Sequence, residues 1–255
     1  MNYPKMSPLT GMVGYGGGSS GLNIGGPTVY KGGSVEFDGS DDGLSIGPTH
    51  SEYAWDDQGT LEMWIKAESF GTQCVYSSLS TGSSTLYGLS IYLKSTSMAL
   101  YGYTNGDDNY DGTVNVGSSS ALSTNVWYHI ALTKWPTNNN QSWNWQYWLN
   151  GVSQGSTTFN TFNWNGNSRG TWIGRQNDYF TSCFHGKISN LRFVRGQRLY
   201  TDTFTPPTTL LDGTPTGCTL LCCQDESSTT TLGKKNSNDT ASEVGNPSTS
   251  TDNPF

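Results

Sequence analysis

The sequence is poor in charged residues and has no long apolar run. Charged residues make up 13% of the 255 residues, and the net charge is −7. Binding to a nucleic-acid backbone needs clustered Lys and Arg, so we expect no nucleic-acid partner. Without a stretch of about 18 apolar residues, no membrane-spanning helix is predicted and no membrane partner is expected. The first residues do not read as a signal peptide, so we expect synthesis in a cytoplasm.

Cysteine is also scarce. The five residues are Cys74, Cys183, Cys218, Cys222 and Cys223. An odd number without a secretion signal argues against a disulfide framework. Cys222 and Cys223 have no CxxC partner pair and no histidine nearby, so zinc is not expected. The sequence therefore predicts buried free thiols.

Glycine and aromatic residues are abundant, with 32 Gly, 9 Trp and 14 Tyr. This composition predicts an all-β protein of short strands and many turns. The stretch 186–207 shows the pattern best. Residues 186–194 alternate loosely as in a half-buried strand, and Asn190 breaks the alternation, which predicts a bulge. Leu199, Tyr200 and Phe204 then anchor a crossing segment that ends at Pro206-Pro207.

Several motifs occur in a defined order. They are F-D-G-x-x-D-x-L-x-I at 37–46, T-L-E-M-W-I at 60–65, W-x-H-I-A-x-T at 127–133, L-N-G at 149–151 and the strand from 186. The first of them predicts a β-hairpin. Together they resemble a laminin-G-like, concanavalin A-type jelly-roll domain over residues 34–207. The resemblance implies an antiparallel β-sandwich. It implies little about function, because this fold hosts lectins, glycosidases and structural modules.

The run L-R-x-V-R-G-x-x-L-Y-T-x-x-F-T-P-P at 191–207 narrows the resemblance. It is similar to laminin-G-like repeats in structural proteins of tailed bacteriophages, especially marine ones. This implies a virion location, other virion proteins as partners and a homo-oligomer. Capsid decoration and tail-fibre component are both left open.

Two flanking segments differ from the domain in composition. Residues 1–33 are rich in glycine but hold apolar anchors, which favours an arm docked on a neighbour over a flexible tail; the anchors are Tyr3, Met6, Leu9, Met12 and Tyr15. Residues 208–255 are a Ser/Thr-rich extension in which Thr219–Cys223 predicts one added strand. From Asp225 on, the chain is too polar for a core of its own, so we expect disorder or docking on a partner, with a free C-terminus favoured.

No catalytic constellation is apparent. Glucanases of this fold carry paired glutamates, whereas Glu62 stands alone on its strand. His50, His129 and His185 are scattered, and no Ser/His/Asp signature or phosphate-binding loop is found. We therefore predict that the protein is not an enzyme.

Acidic turns offer a possible metal site. The resemblance implies calcium, which needs several hard oxygen ligands. The candidates are Asp38, Asp41 and Asp42, or else Asp107, Asp108 and Asp111. Aspartate is also an ordinary turn residue, so a structural role stays open.

The tryptophan-rich stretch 135–148 offers a contact surface. Trp135, Trp143 and Trp145 are predicted to be exposed at one rim, where they would stack on sugars or anchor a protein interface. The interface is favoured, because both flanking segments suggest assembly.

The leading hypothesis is a non-enzymatic structural protein on a phage exterior, docked through its arm and tail. The alternative is a carbohydrate-binding module for host-surface glycans. A cellular adhesion domain is disfavoured.

Overall fold

The computed structural model describes residues 32–47, 55, 57–80, 88–95, 97–103, 110–114, 122–137, 142–160, 169–176, 182–234 and 239–255. Within these ranges the chain forms sixteen β-strands and no helix, so none that could span a membrane is found there. The strands are β1 Ser34–Asp38, β2 Gly43–Gly47, β3 Gly59–Ala67, β4 Thr72–Ser80, β5 Gly88–Lys94, β6 Ser97–Tyr103, β7 Tyr110–Val114, β8 Tyr128–Pro136, β9 Ser142–Leu149, β10 Val152–Asn160, β11 Arg169–Ile173, β12 His185–Arg195, β13 Cys218–Cys222, β14 Leu232–Lys234, β15 Thr240–Val244 and β16 Ser248–Ser250.

The strands form two antiparallel sheets. The nine-stranded sheet runs β10-β9-β8-β3-β12-β1-β16, with β13 beside β12 and β14 beside β13. The seven-stranded sheet runs β15-β2-β11-β4-β5-β6-β7. Apolar residues at alternate positions of both sheets are buried together, as Leu61, Met63 and Ile65 of β3 illustrate at 1% exposure each. The predicted all-β sandwich of jelly-roll type is confirmed.

The strand β12 lies between β3 and β1 and is buried along its length. Its register against β3 shifts between Ser189 and Arg192, and Asn190 has a φ of 53°. The predicted bulge at Asn190 is therefore confirmed. The Asn190 Oδ1 atom accepts hydrogen bonds from the Leu211 amide (2.9 Å) and from Gln224 (2.8 Å), so the bulge ties later segments to the centre of the sheet.

The predicted hairpin at 37–46 is wrong. The strand β1 pairs with β12 and β16, whereas β2 pairs with β11 and β15 in the other sheet. The Asp-Gly turn thus carries the chain from one sheet to the other. Val35, Phe37, Leu44 and Ile46 all reach the core in this arrangement, because each strand faces inward from its own sheet.

Residues 208–255 depart most from expectation. The added strand predicted at Thr219–Cys223 is β13. Beyond Asp225, however, β14, β15 and β16 pair with β13, β2 and β1, so the predicted disorder or docking on a partner is wrong for these strands. The C-terminus is not free either, since the Phe255 ring lies 6.1 Å from that of Trp64. Beyond Asp225, backbone pairing supplements the limited apolar burial of Leu232 and Ala241 against the core.

Candidate functional site

The three predicted contact tryptophans divide between the two faces of the β8–β9 ladder. Register places Lys134 opposite Trp145, and Trp135 opposite Asn144. Successive side chains alternate between faces, so Trp145 points into the core while Trp135 points away. Trp145 is 0% exposed and packs 5.0 Å from the Trp55 ring. Its predicted exposure is wrong, because it shares the inward face with Tyr147 and Leu149.

Trp143 also faces inward, at the edge of the core. It is half-buried against the core cluster, and the Lys134 ammonium lies 3.8 Å from its ring centroid. Lys134 is fully buried and donates a hydrogen bond to the Trp55 carbonyl. Trp143 therefore gives one ring face to an internal cation–π contact.

Trp135 lies on the outer face of the nine-stranded sheet and is half-buried. The Arg198 guanidinium stacks over it, with Cζ 3.5 Å from the ring centroid. Arg198 Nη2 also donates to Gln146 Oε1 at 2.7 Å. The ring and the cation form one platform, joined by cation–π attraction.

Polar side chains extend this platform across β9 and β10. Gln146 Nε2 donates to Ser153 Oγ at 2.8 Å, and Thr158 Oγ1 donates to Asn144 Oδ1 at 2.9 Å. Ser153 and Thr158 are exposed, while the two amides are half-buried. We call the set formed by Trp135, Asn144, Gln146, Ser153, Thr158 and Arg198 the outer strip.

Arg198 reaches the strip from the crossing segment, residues 196–207. Thr60 Oγ1 accepts a hydrogen bond from the Leu199 amide (2.9 Å) and donates to the Gln197 carbonyl (3.0 Å). Gln58 Nε2 donates to the Gly196 carbonyl at 2.8 Å. The residues on both sides of Arg198 are thus fixed to the start of β3.

A buried ionic network on the nine-stranded sheet also holds the crossing segment, through Tyr200. Glu62 is fully buried, and its Oε1 accepts bonds from Arg192 Nε (2.9 Å) and Nη2 (2.6 Å). Its Oε2 accepts the Tyr200 hydroxyl (2.6 Å) and lies 3.2 Å from His129 Nε2. Burial raises the pKa of Glu62, but the hydrogen bond from His129 and the charge of Arg192 outweigh burial and lower it. Burial raises the pKa of Tyr200.

The far end of the crossing segment docks on the β9–β10 turn. Asn150 and Gly151 have φ values of 48° and 78°, as in a type I′ turn. The Phe204 amide donates to the Gly151 carbonyl at 3.0 Å. The Phe204 ring stacks on Tyr200 at 3.6 Å and meets Trp148 edge-on at 5.7 Å. The segment is therefore fixed at both ends, and the predicted anchors Tyr200 and Phe204 hold this one.

The predicted calcium ligands Asp38, Asp41 and Asp42 do come together, with carboxylate oxygens within 4.8 Å of one another. Asp42 is buried, however, and its two oxygens accept the amides of Asp38 (2.9 Å) and Asn246 (2.7 Å). Arg175 donates to the Asp41 carbonyl at 2.8 Å, which brings a positive charge to the loop. Calcium needs six to eight oxygen ligands, of which the three carboxylates would supply only a part, so the calcium site stays a prediction beside the hydrogen-bonded turn that the structure shows.

Other predicted residues cannot be placed. Asp107 and Asp108 lie outside the described residues, as do the arm anchors Tyr3, Met6, Leu9, Met12 and Tyr15. Asp111 lies in β7, where only the backbone is described. The five cysteines, by contrast, are all described, and they are buried thiols outside any disulfide, as predicted.

One rim of the sandwich brings a serine, a histidine and a glutamate together. Ser69 Oγ lies 2.9 Å from His185 Nδ1, and Glu68 Oε2 lies 3.6 Å from His185 Nε2. A separation of 3.6 Å is too long for a hydrogen bond. Glu68 instead bonds to Lys187 at 2.7 Å, which lowers the pKa of Glu68. The carboxylate therefore does not orient the imidazole as in a catalytic triad.

Sequence reasoning missed Arg198. It identified the crossing segment but gave this residue no role, because the partner ring is distant in sequence and lies on another strand. The alternation of Trp143, Trp145 and Tyr147 would have shown that Trp145 faces the core.

Comparison with known proteins places the chain in a family. Residues 38–199 match a laminin-G model of the concanavalin A-like lectin/glucanases superfamily. No curated protein matches the chain in sequence. A solved structure with the same fold is a Bacteroides ovatus ATCC 8483 protein to which carbohydrate binding is provisionally ascribed. It has 16% identity and a TM-score of 0.60, and the match covers 86% of this chain and 59% of the other.

Two further structures have lower TM-scores. A heptameric SAP-like pentraxin from Limulus polyphemus shares 16% identity over 64% of this chain and 76% of its own, at a TM-score of 0.44. The CBM40 domain of a Ruminococcus gnavus IT-sialidase, solved with α2,3-sialyllactose, shares 14% identity over 63% and 88%, at 0.47. The family match decides the assignment: this chain belongs to the concanavalin A-like lectin/glucanases superfamily, as a laminin-G-like domain.

Proposed function

We propose that the domain is a non-catalytic carbohydrate-binding module that holds saccharides on the outer strip. The observation that carries this proposal is the strip itself, where an aromatic–cation platform adjoins amides and hydroxyls on a solvent-facing sheet. Saccharide recognition combines an aromatic surface with a few placed hydrogen-bonding groups. The superfamily includes lectins, and carbohydrate binding is provisionally ascribed to the Bacteroides ovatus protein, which supports the proposal.

Preorganisation favours ligand binding at this strip. The contacts Arg198–Gln146–Ser153 and Thr158–Asn144 hold the polar groups in place before a ligand arrives. Side chains that are already ordered lose less conformational entropy on binding. Burial removes Trp145 from sugar stacking and from a protein interface alike, so Trp135 is the ring on which this proposal rests.

A glycan array followed by affinity electrophoresis in polysaccharide gels tests the proposal. We expect the wild-type protein to be retained by at least one saccharide, and Trp135→Ala to lose about tenfold or more in affinity. The matched control is Trp127→Ala, which removes a half-buried indole whose Nε1 bonds to Asp252, away from the strip. Equal retention of Trp135→Ala and Trp127→Ala would refute binding at the outer strip.

The finer prediction of a virion structural protein stays a prediction. Its proposed docking residues lie in the arm, residues 1–31 of which are outside the described structure. Incorporation into purified phage particles, with and without residues 1–33, is the direct test. A particle that takes up the truncated chain as well as the full chain would contradict docking through the arm.

A further inference from the structure

Arg198 has no carboxylate partner among the described residues. Lys66, Lys187 and Arg192 each have a carboxylate oxygen at 2.6–2.7 Å. The contacts of Arg198 are instead the Trp135 ring and the Gln146 side-chain oxygen. Asp202 acts on it only through its charge. The platform therefore carries a cation that the described part of the domain does not pair.

The Arg198 guanidinium, which has no carboxylate partner among the described residues, is also partly buried. Arg198 is half-buried, and its Nε atom is buried without a hydrogen-bond partner. Burial lowers the pKa of Arg198, and the charge of Asp202 opposes this only in part. Buried cations in proteins are normally paired, and a guanidinium carries five N–H donors. The buried Nε is closed to a ligand, but the guanidinium as a whole has no anionic acceptor among the described residues.

We propose that the outer strip selects anionic saccharides, whose carboxylate or sulfate group pairs with Arg198. This inference rests on the proposed function of the strip. Both oxyanions match the forked donors of a guanidinium, which binds them through two parallel hydrogen bonds. The sugar hydroxyls would then meet Ser153, Thr158 and the amide of Asn144.

The surroundings of Arg198 argue for a saccharide over other polyanions. The other groups of the strip are neutral amides and hydroxyls, and the protein as a whole carries a net charge of −7. A negatively charged protein repels a polyanion held by charge alone. Binding therefore requires a ligand that supplies hydroxyl groups together with its anion, which is the chemistry of an acidic sugar.

Matched charged and neutral polymers test the inference. Polygalacturonate is compared with its methyl ester, and dextran sulfate with dextran, by affinity electrophoresis and titration calorimetry of the full chain. We expect the wild type to prefer one charged polymer over its neutral counterpart by about tenfold or more. Preference in the first pair identifies a carboxylate, and preference in the second identifies a sulfate. Rising salt should weaken this binding, because an exposed ion pair is screened.

Two substitutions separate charge from geometry. Arg198→Gln should abolish the preference, whereas Arg198→Lys should retain part of it, since lysine keeps the charge without the fork. Arg195→Gln, at the end of β12, is the matched control and should keep the preference.

Two outcomes distinguish a failure of anion selection from a failure of the proposed carbohydrate binding. Equal binding of charged and neutral polymers that depends on Trp135 would overturn the selection of anions and leave carbohydrate binding intact. A wild-type protein retained by no saccharide would overturn both.

Discussion

Replacing Glu62 with glutamine tests the buried network beneath the crossing segment. The substitution keeps the size of the side chain but removes its charge. The Arg192 side chain, only 9% exposed, would then lose its buried carboxylate partner and keep only the exposed carboxylate of Asp212 at 3.9 Å. Breaking a buried ion pair from one side costs about 3–5 kcal/mol. We therefore expect Glu62→Gln to lower the free energy of unfolding by about 3–5 kcal/mol, as measured by chemical denaturation.

This loss depends on pH with a defined sign. Although burial raises the pKa of Glu62, its partners His129, Arg192 and Tyr200 hold it below the ordinary value of 4.5. Such a carboxyl adds stability above its unfolded pKa, and that stability is lost as pH falls through the folded pKa. The difference between wild type and Glu62→Gln should be complete at neutral pH and shrink below pH 4.5.

Glu68→Gln is the matched control for this experiment. Glu68 pairs with Lys187 at 2.7 Å but is 28% exposed, so water screens the pair. Its loss should cost no more than about 1 kcal/mol. A Glu62→Gln variant that unfolds as easily as Glu68→Gln, or a difference from wild type that does not change with pH, would refute the reasoning.

Three other perturbations have expected outcomes. Gly151→Ala would place a β-carbon against the Phe204 carbonyl at a φ of 78°, so thermal unfolding should show a lower midpoint; an unchanged midpoint would contradict this docking. Trp145→Ala should cost about 3–5 kcal/mol in denaturant titration, because it empties the core, whereas Trp135→Ala should cost under about 1 kcal/mol. Chelation should leave the thermal midpoint unchanged, because the Asp42 carboxylate is already bonded to two backbone amides. A clear fall of the midpoint would instead support a calcium site at Asp38, Asp41 and Asp42.

The strands and their core faces could be predicted from local pattern. Alternation of Leu61, Met63 and Ile65 identifies the inward face of β3, and Asn190 marks the bulge that the structure contains. The pairing partner of each strand was harder to predict from the sequence. The Asp-Gly step after Phe37 serves a hairpin and a crossing between sheets equally well, and only the later strands decide between them.

The C-terminal segment and the candidate site depend on contacts between distant residues. The segment after Asp225 has few apolar residues, so its composition predicts disorder. It is held instead by backbone pairing and by Asp252, which bonds to Lys66 (2.7 Å) and Trp127 (3.1 Å). The stack of Arg198 on Trp135 likewise needs the folded sheet before its two residues can meet.

Side-chain NMR during a saccharide titration tests carbohydrate binding at the outer strip most directly. The protein is labelled with ¹⁵N and titrated with a saccharide that the array identifies. We predict shifts at the Trp135 indole, at the Asn144 and Gln146 amides and at the Arg198 guanidinium. Unchanged signals from these four groups, with shifts instead in the loop of Asp38–Asp42 or elsewhere, would contradict the account.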